Sequence, residues 1–190
     1  EKPPVFRAPA AAKHAVDKFL SGRRPVTITL REKDKWISRN SRVSDWLKFA
    51  DYLHARGHDV LFVRDTAYAD EPLRHQGPGV QYGTYPEASH NLHVRMALYE
   101  AAECNLFVGN GPASLGWFSD RPWIMFAPVV PNGHPDWANT PEFWQEMQGI
   151  EHLGQYPWSR SDQIIWWGSD NYENLCDAWG DLMPHLQAAA

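Results

Sequence analysis

The chain has 190 residues, 43% of them hydrophobic and 22% charged, which is an ordinary globular balance and the right length for one domain. Its formal net charge of -5 excludes the large basic excess that drives binding to duplex nucleic acid, while leaving room for a small anion held by a few local donors. No apolar run approaches the roughly 18 residues that span a bilayer, and no secretory leader is visible, so the expectation is a cytoplasmic protein without a transmembrane segment.

After an irregular start at Pro3, Pro4 and Pro9, the spacing of Ala12, Ala15, Val16 and Phe19 predicts a helix over Ala10 to Leu20, ended by Ser21-Gly22. Val26 to Leu30, β-branched and following Pro25, reads as the first strand, and the polar stretch Arg31 to Asn40 as a loop. Val43, Trp46, Leu47, Ala50 and Leu53 share a helical face, with Ser41 or Ser44 as its cap and Gly57 at its end. Asp59 to Val63 is a second strand, with Asp65-Thr66 at its carboxyl end. Residues 67 to 89 are rich in Pro, Gly and Tyr and allow at most a short strand around Val80 to Tyr82. Val94, Ala97, Leu98 and Ala101 mark a further helix, Asn105 to Val108 a strand, and Gly109 to Ser114 a sharp turn into a short helix. Trp123 to Phe126 is the next strand. A proline-rich loop over 127 to 141, a helix over Pro141 to Met147, a last strand over Gln163 to Trp167 and a long helical stripe from Tyr172 to Leu186 complete the chain, the last capped by Asp170 or Asn171.

Strands and helices alternate, which predicts an α/β, Rossmann-like fold: a mostly parallel sheet with helices on both faces and right-handed crossovers. Residues 1–190 read as a single such domain. Within it, 1–24 form an N-terminal helix and linker, 25–130 a core with a candidate nucleotide site, and 131–190 a loop, last strand and C-terminal helix. Cys104 and Cys176 fall on apolar faces of predicted helices and read as small buried hydrophobes. Neither a C-x-x-C pair nor H-E-x-x-H occurs, so no metal site and no cofactor are expected. Eight of the ten tryptophans lie beyond residue 110, either as large rings filling a core or as a stacking wall for a sugar, a base or a partner domain.

In an open α/β sheet, ligands gather outside the carboxyl ends of the strands, where strand order reverses. Arg31 to Asn40, Asp65-Thr66, Gly109 to Ser114 and the loop after Phe126 should project there. In Val-Gly-Asn-Gly-Pro-Ala-Ser, the glycines allow positive φ and close approach of a ligand, and Pro112 suits a first helical turn. Free N–H groups of Asn110, Gly111, Ala113 and Ser114 at a helix start would favour a phosphate or diphosphate. The same turn could equally be a plain strand-to-helix connection. Arg31, directly after the first strand, could grip a diphosphate through paired hydrogen bonds or be ion-paired beside Glu32 and Asp34. Arg39 and Asn40 are further candidates on that loop. Asp65 could accept from a ribose or sugar hydroxyl or serve a turn, and Tyr82, Tyr85 and His90 are candidate base or sugar contacts.

These segments, in this order, resemble the C-terminal, nucleotide-sugar-binding half of GT-B fold glycosyltransferases, in particular the fucosyltransferase-like group and the heptosyltransferases. The fucosyltransferase-like strand that ends in His-x-Arg is matched by Ile28-Thr29-Leu30-Arg31, where the arginine corresponds and the histidine does not. The Val-Gly-Asn turn of heptosyltransferases is matched by Val108-Gly109-Asn110-Gly111-Pro112, and the resemblance covers roughly residues 25 to 130.

The resemblance implies a nucleotide sugar (GDP-, ADP- or UDP-linked) as ligand and catalysis without a bound metal. It implies that Arg31 neutralises the leaving diphosphate, and that Arg39, Asn40, Asp65, Asn110, Gly111, Pro112, Ala113 and Ser114 hold the nucleotide. It also implies an N-terminal acceptor-binding domain as partner. The chain opens on Glu1 and has room for one such domain only, so a non-catalytic nucleotide- or partner-binding Rossmann-like module is the alternative expectation. A small Rossmann-like hydrolase is disfavoured, because no G-x-S-x-G elbow is present.

Overall fold

The computed structural model describes residues 5–35, 37–73, 82–134 and 137–188. Six strands form one all-parallel sheet in the order β3-β2-β1-β4-β5-β6. They are β1 (Val26–Thr29), β2 (Val60–Val63), β3 (Gly83–Thr84), β4 (Cys104–Val108), β5 (Trp123–Phe126) and β6 (Gln163–Trp166). The helices are α1 (Ala10–Leu20), α2 (Val43–His54), α3 (Pro86–His90), α4 (Leu92–Ala101), α5 (Pro141–Gln148) and α6 (Tyr172–Ala188). This is the Rossmann-like sheet that the alternation of elements predicts. Of the strand expected around Val80 to Tyr82, positions 80 and 81 lie outside the described residues, and the two-residue strand falls just beyond, at Gly83–Thr84.

The four strands β1, β2, β4 and β5 are buried along their whole length, as a parallel sheet covered on both faces requires. Side-chain alternation divides them. Val26, Ile28, Phe62, Leu106 and Ile124 pack under α2 and α6, against Trp46, Phe49, Leu53 and Trp179. Leu61 and Val63 face α1 and α4, while Phe107, Trp123 and Met125 meet Trp144, Ile150 and Tyr156. Polar groups on the sheet are paired: Thr27 donates to Asn105 Oδ1 at 2.7 Å, Asn105 Nδ2 donates to the Tyr99 carbonyl at 3.1 Å, and the Thr29 and Tyr99 hydroxyls meet at 2.8 Å. Cys104 opens strand β4 instead of lying on a helix. It is buried there, which pushes its thiol pKa up. No helix among the described residues is long and apolar enough to cross a membrane.

Side chains satisfy the free amides at several helix starts. Asn91 caps α4 by accepting from His93 N and Val94 N, and Asn171 caps α6 by accepting from Asn174 N at 2.9 Å. Neither Ser41 nor Ser44 caps α2, because Ser41 Oγ accepts from Arg31 N at 2.8 Å instead. The start of α2 is held from across the fold: the Asp170 carboxylate, 4% exposed, accepts from Arg42 N at 2.8 Å and from the Trp46 indole at 2.7 Å.

Two positions should be sensitive to substitution. Asp170→Ala leaves two donors at the start of α2 without an acceptor and is expected to cost about 3 kcal/mol, read by denaturant unfolding. Gly116 packs so tightly on Phe107 that an added Cβ would lie 2.8 Å from Cε1 of that fully buried ring. Gly116→Ala should therefore destabilise by about 1–3 kcal/mol, seen as a lowered Tm.

Candidate functional site

β1 pairs with β2 on one side and with β4 on the other. Strand order reverses at that point, and the loops after β1, β2 and β4 diverge around a cavity of 490 Å³. Among the described residues its wall holds six basic side chains, Arg31, Lys33, Lys35, Arg39, Arg64 and Arg95, against two acidic ones, Asp34 and Asp65, together with Leu30, Thr66, Asn110, Gly111 and Pro112. Six of the nine candidate residues thus share one cavity: Arg31, Arg39, Asp65, Asn110, Gly111 and Pro112. Asn40, Ala113 and Ser114 do not line it.

The loop after β1 is pinched at its neck. Arg31 N donates to Ser41 Oγ, and Ser41 N donates back to the Arg31 carbonyl at 2.9 Å. Inside the loop, Asn40 Oδ1 accepts from Arg31 Nη1 at 2.5 Å and from Lys33 N at 3.0 Å, and Asn40 Nδ2 donates to the Lys33 carbonyl at 2.7 Å. Asn40 therefore acts as the internal brace of the loop and offers the cavity no surface. Arg31 is 5% exposed and also reaches the Lys35 carbonyl at 3.5 Å.

The other cations differ in how far their donors are already used. Arg64 gives Nε and Nη2 to the two carboxylate oxygens of Glu32, at 3.0 and 2.5 Å, and Nη1 to the Glu71 carbonyl at 3.0 Å. Arg95 Nε donates to the Ala88 carbonyl at 2.6 Å. Lys33 Nζ sits 2.6 Å from Asp65 Oδ1, so Asp65 is ion-paired and makes no cap to the 3-10 turn Thr66–Tyr68 that it precedes. Arg39 is half-buried at the end of the 3-10 turn Ile37–Arg39, and no described residue accepts from its guanidinium. At the rim the Tyr68 hydroxyl lies 3.5 Å from Asp34, whose negative charge raises the phenol pKa above its ordinary value.

The turn after β4 is built differently from the sequence expectation. Neither Gly109 nor Gly111 has a positive φ. The turn leads into a five-residue 3-10 segment, Pro112–Gly116, too short to supply a helix dipole. It also uses up most of its own donors. Asn110 Oδ1 accepts from Ala113 N at 2.8 Å, and Ser114 N donates to the Asn110 and Gly111 carbonyls, both at 3.2 Å. The Ser114 hydroxyl donates to the Gly111 carbonyl. Ala113 is fully buried. The amides of Asn110 and Gly111 remain, with no acceptor among the described residues. An added Cβ at Gly111 would meet nothing within 4 Å, so that stretch of backbone stands open to a ligand.

A second cavity, of 230 Å³, adjoins the first and shares Arg39, Asn110 and Gly111 with it. Beyond these its wall is mostly apolar, with Trp117, Phe126, Phe143 and Trp144 among its residues, and Ser114 lies on this side. The tryptophans thus divide between the two readings of the sequence: Trp46, Trp123 and Trp179 are fully buried core, while Trp117 and Trp144 line a cavity. Tyr82, Tyr85 and His90 line neither cavity. Tyr82 donates to Asp51 at 2.6 Å, and burial, then that bond, raises its pKa strongly. Tyr85 is buried and stacks on Phe19 at 3.9 Å, and His90 borders a separate shallow depression with Asp70.

Sequence reasoning missed Arg64 and Arg95. Arg64 had a signal, because it follows β2 directly, much as Arg31 follows β1. Arg95 sits among the buried residues of α4, where nothing in the periodicity marks it as facing a cavity. Among the described residues, no three His, Cys, Asp or Glu side chains gather as metal ligands.

Neither a family model nor a curated protein matches the sequence. The fold does have counterparts among solved structures. One is a glycosyl transferase family 9 protein from Veillonella parvula, with a TM-score of 0.61 and 13% identity over 95% of this chain. Another is the E. coli ADP-heptose lps heptosyltransferase II, with a TM-score of 0.63 and 12% identity over 98% of this chain. The matches cover 54% and 55% of those proteins, so the chain spans about half their length. At this level of identity the likeness is one of architecture: the chain has the fold of one half of a GT-B glycosyltransferase.

Proposed function

We propose that this chain binds a nucleotide diphosphate sugar, as the donor-binding half of a metal-independent GT-B glycosyltransferase. The supporting observation is the cavity at the strand-order reversal, where Arg31 and Arg39 meet the open amides of Asn110 and Gly111. A diphosphate needs several donors and a surplus of positive charge in a shielded place, and this wall offers both. Asp65, or the Asp34 carboxylate at the rim, suits a ribose hydroxyl. Joined to an acceptor-binding domain, the site would favour transfer by stabilising charge. As the bond from the sugar to the diphosphate breaks, negative charge grows on the leaving oxygens, and fixed guanidinium and amide donors lower the energy of that state more than that of the bound donor. The acceptor hydroxyl would be activated from the other domain.

Isothermal titration of GDP, ADP and UDP, each free and sugar-linked, tests this reading, and failure of all of them to bind the folded protein would end it. Two variants refine the test. Arg39→Ala should weaken diphosphate binding by about 1.5–3 kcal/mol, as for a lost charge-assisted hydrogen bond, with an unchanged Tm. Arg31→Ala should weaken binding similarly and also lower the Tm, because Arg31 braces its own loop through Asn40 and Lys35.

A further inference from the structure

The second cavity has a chemistry opposite to that of the first. Arg39 is the one charged residue on its wall among the described residues, and that residue is shared. The remaining surface is ring and aliphatic, with side-chain polarity limited to Asn110, Ser114, Asn139 and Gln148. These groups already have partners: the Ser114 hydroxyl is turned to the Gly111 carbonyl, Asn110 Oδ1 accepts from Ala113 N while its Nδ2 donates to the Val108 carbonyl, Gln148 Oε1 accepts from Tyr156 at 3.3 Å, and Asn139 is also engaged. A ring carrying a full set of hydroxyls would lose more hydration here than the wall returns. A ring with an apolar face would lose little, and would gain contact with Trp117, Phe143 and Trp144.

The indole nitrogens of Trp117 and Trp144 add no polarity to this surface: both are buried, like that of the core residue Trp123, so the two rings offer the cavity carbon and not donors.

Size and connection decide which part of a ligand enters. The cavities meet at Arg39, Asn110 and Gly111, the groups suited to a phosphate. A phosphate at that junction sends one arm of the molecule each way. The 490 Å³ cavity, with its carboxylates and cations, suits the larger and more polar arm, and the 230 Å³ cavity suits a single ring.

Building on the donor-binding reading above, we infer that the second cavity receives the glycosyl group, and that its aromatic wall selects a sugar bearing an apolar substituent, such as the methyl group of a 6-deoxy sugar, over a fully hydroxylated one. Arg39 then spans both arms as the cation at the branch point. Phe143 is the specificity residue most open to test: it is half-buried, and it stands on α5 with its ring edge against Trp137 at 4.9 Å.

The experiment titrates the folded chain and its Phe143→Ala variant with base-matched sets: GDP, GDP-mannose and GDP-rhamnose (the 6-deoxy form of mannose), then UDP, UDP-glucose and UDP-6-deoxyglucose, then ADP, ADP-glucose and ADP-6-deoxyglucose. In the set whose base is accepted, the methyl-bearing donor should bind about tenfold more tightly than its hydroxylated counterpart, in line with one good aromatic contact. Phe143→Ala should erase that difference and leave the affinity for the free diphosphate unchanged. If Phe143→Ala weakens the free diphosphate and its sugar-linked forms equally, the cavity holds the base, and the inference is overturned. If the three ligands of a set bind alike and ignore the substitution, the cavity is not used, and the inference falls while diphosphate binding stands. If no ligand of any base binds, the donor-binding reading itself has failed.

Discussion

β1 is hydrogen-bonded on both edges, to β2 and to β4. In a right-handed crossover, the direction of travel across the sheet fixes the face that the connecting helix covers, so the chain runs outward through β2 and β3 and, on returning to lay β4 on the other side of β1, changes faces. The carboxyl ends of β1 and β4 consequently end side by side while their connections depart to opposite faces. Nothing but side chains and loop backbone can fill the gap between them. Three residues of the cavity wall owe their positions to that gap: Arg31 because it is the second residue past β1, Arg64 because it is the first past β2, and Asn110 because it is the second past β4.

Charge in that gap is less available than a count of basic residues suggests. Six cations among the described residues border the larger cavity, but Arg64 is committed to Glu32, Lys33 to Asp65, and Arg95 to a main-chain carbonyl. Such commitments are what make a crowded set of like charges tolerable, since each pairing with a carboxylate offsets repulsion from its neighbours. They also turn the charged residues into a scaffold. Arg31 is both part of that scaffold and part of the surface, whereas Arg39 belongs to the surface.

The sheet was legible from the residues because β-branched and aromatic runs such as Val26 to Leu30 and Trp123 to Phe126 have few other uses, and because helical spacing around Ala12, Trp46 and Ala97 is regular. The loop positions of Arg31, Arg39, Asp65 and Asn110 followed from the same reading. What was not legible is how donors and acceptors are partnered. Asn110 looks like a ligand contact in sequence, yet its side chain caps Ala113. Ser41 looks like a helix cap, yet it ties the neck of the loop after β1. Asn40 looks like a site residue and works as a brace. In each case a short polar side chain had several partners within reach, and tertiary geometry chose among them. The aromatic cavity was hidden for a related reason: Phe143 and Trp144 are far in sequence from the loop after β4 that they face, and rings of the same type fill the core.

The bond from Asp170 to the head of α2 joins parts of the chain that are 128 residues apart. It couples the entrance of the final helix to the segment directly beyond the neck formed by Arg31 and Ser41. The C-terminal stretch is therefore a remote support of the loop after β1, setting how firmly one wall of the larger cavity stands. A change at Asp170 would loosen that wall while every residue lining the cavity stayed the same, so a chain that preserves the lining need not preserve its rigidity.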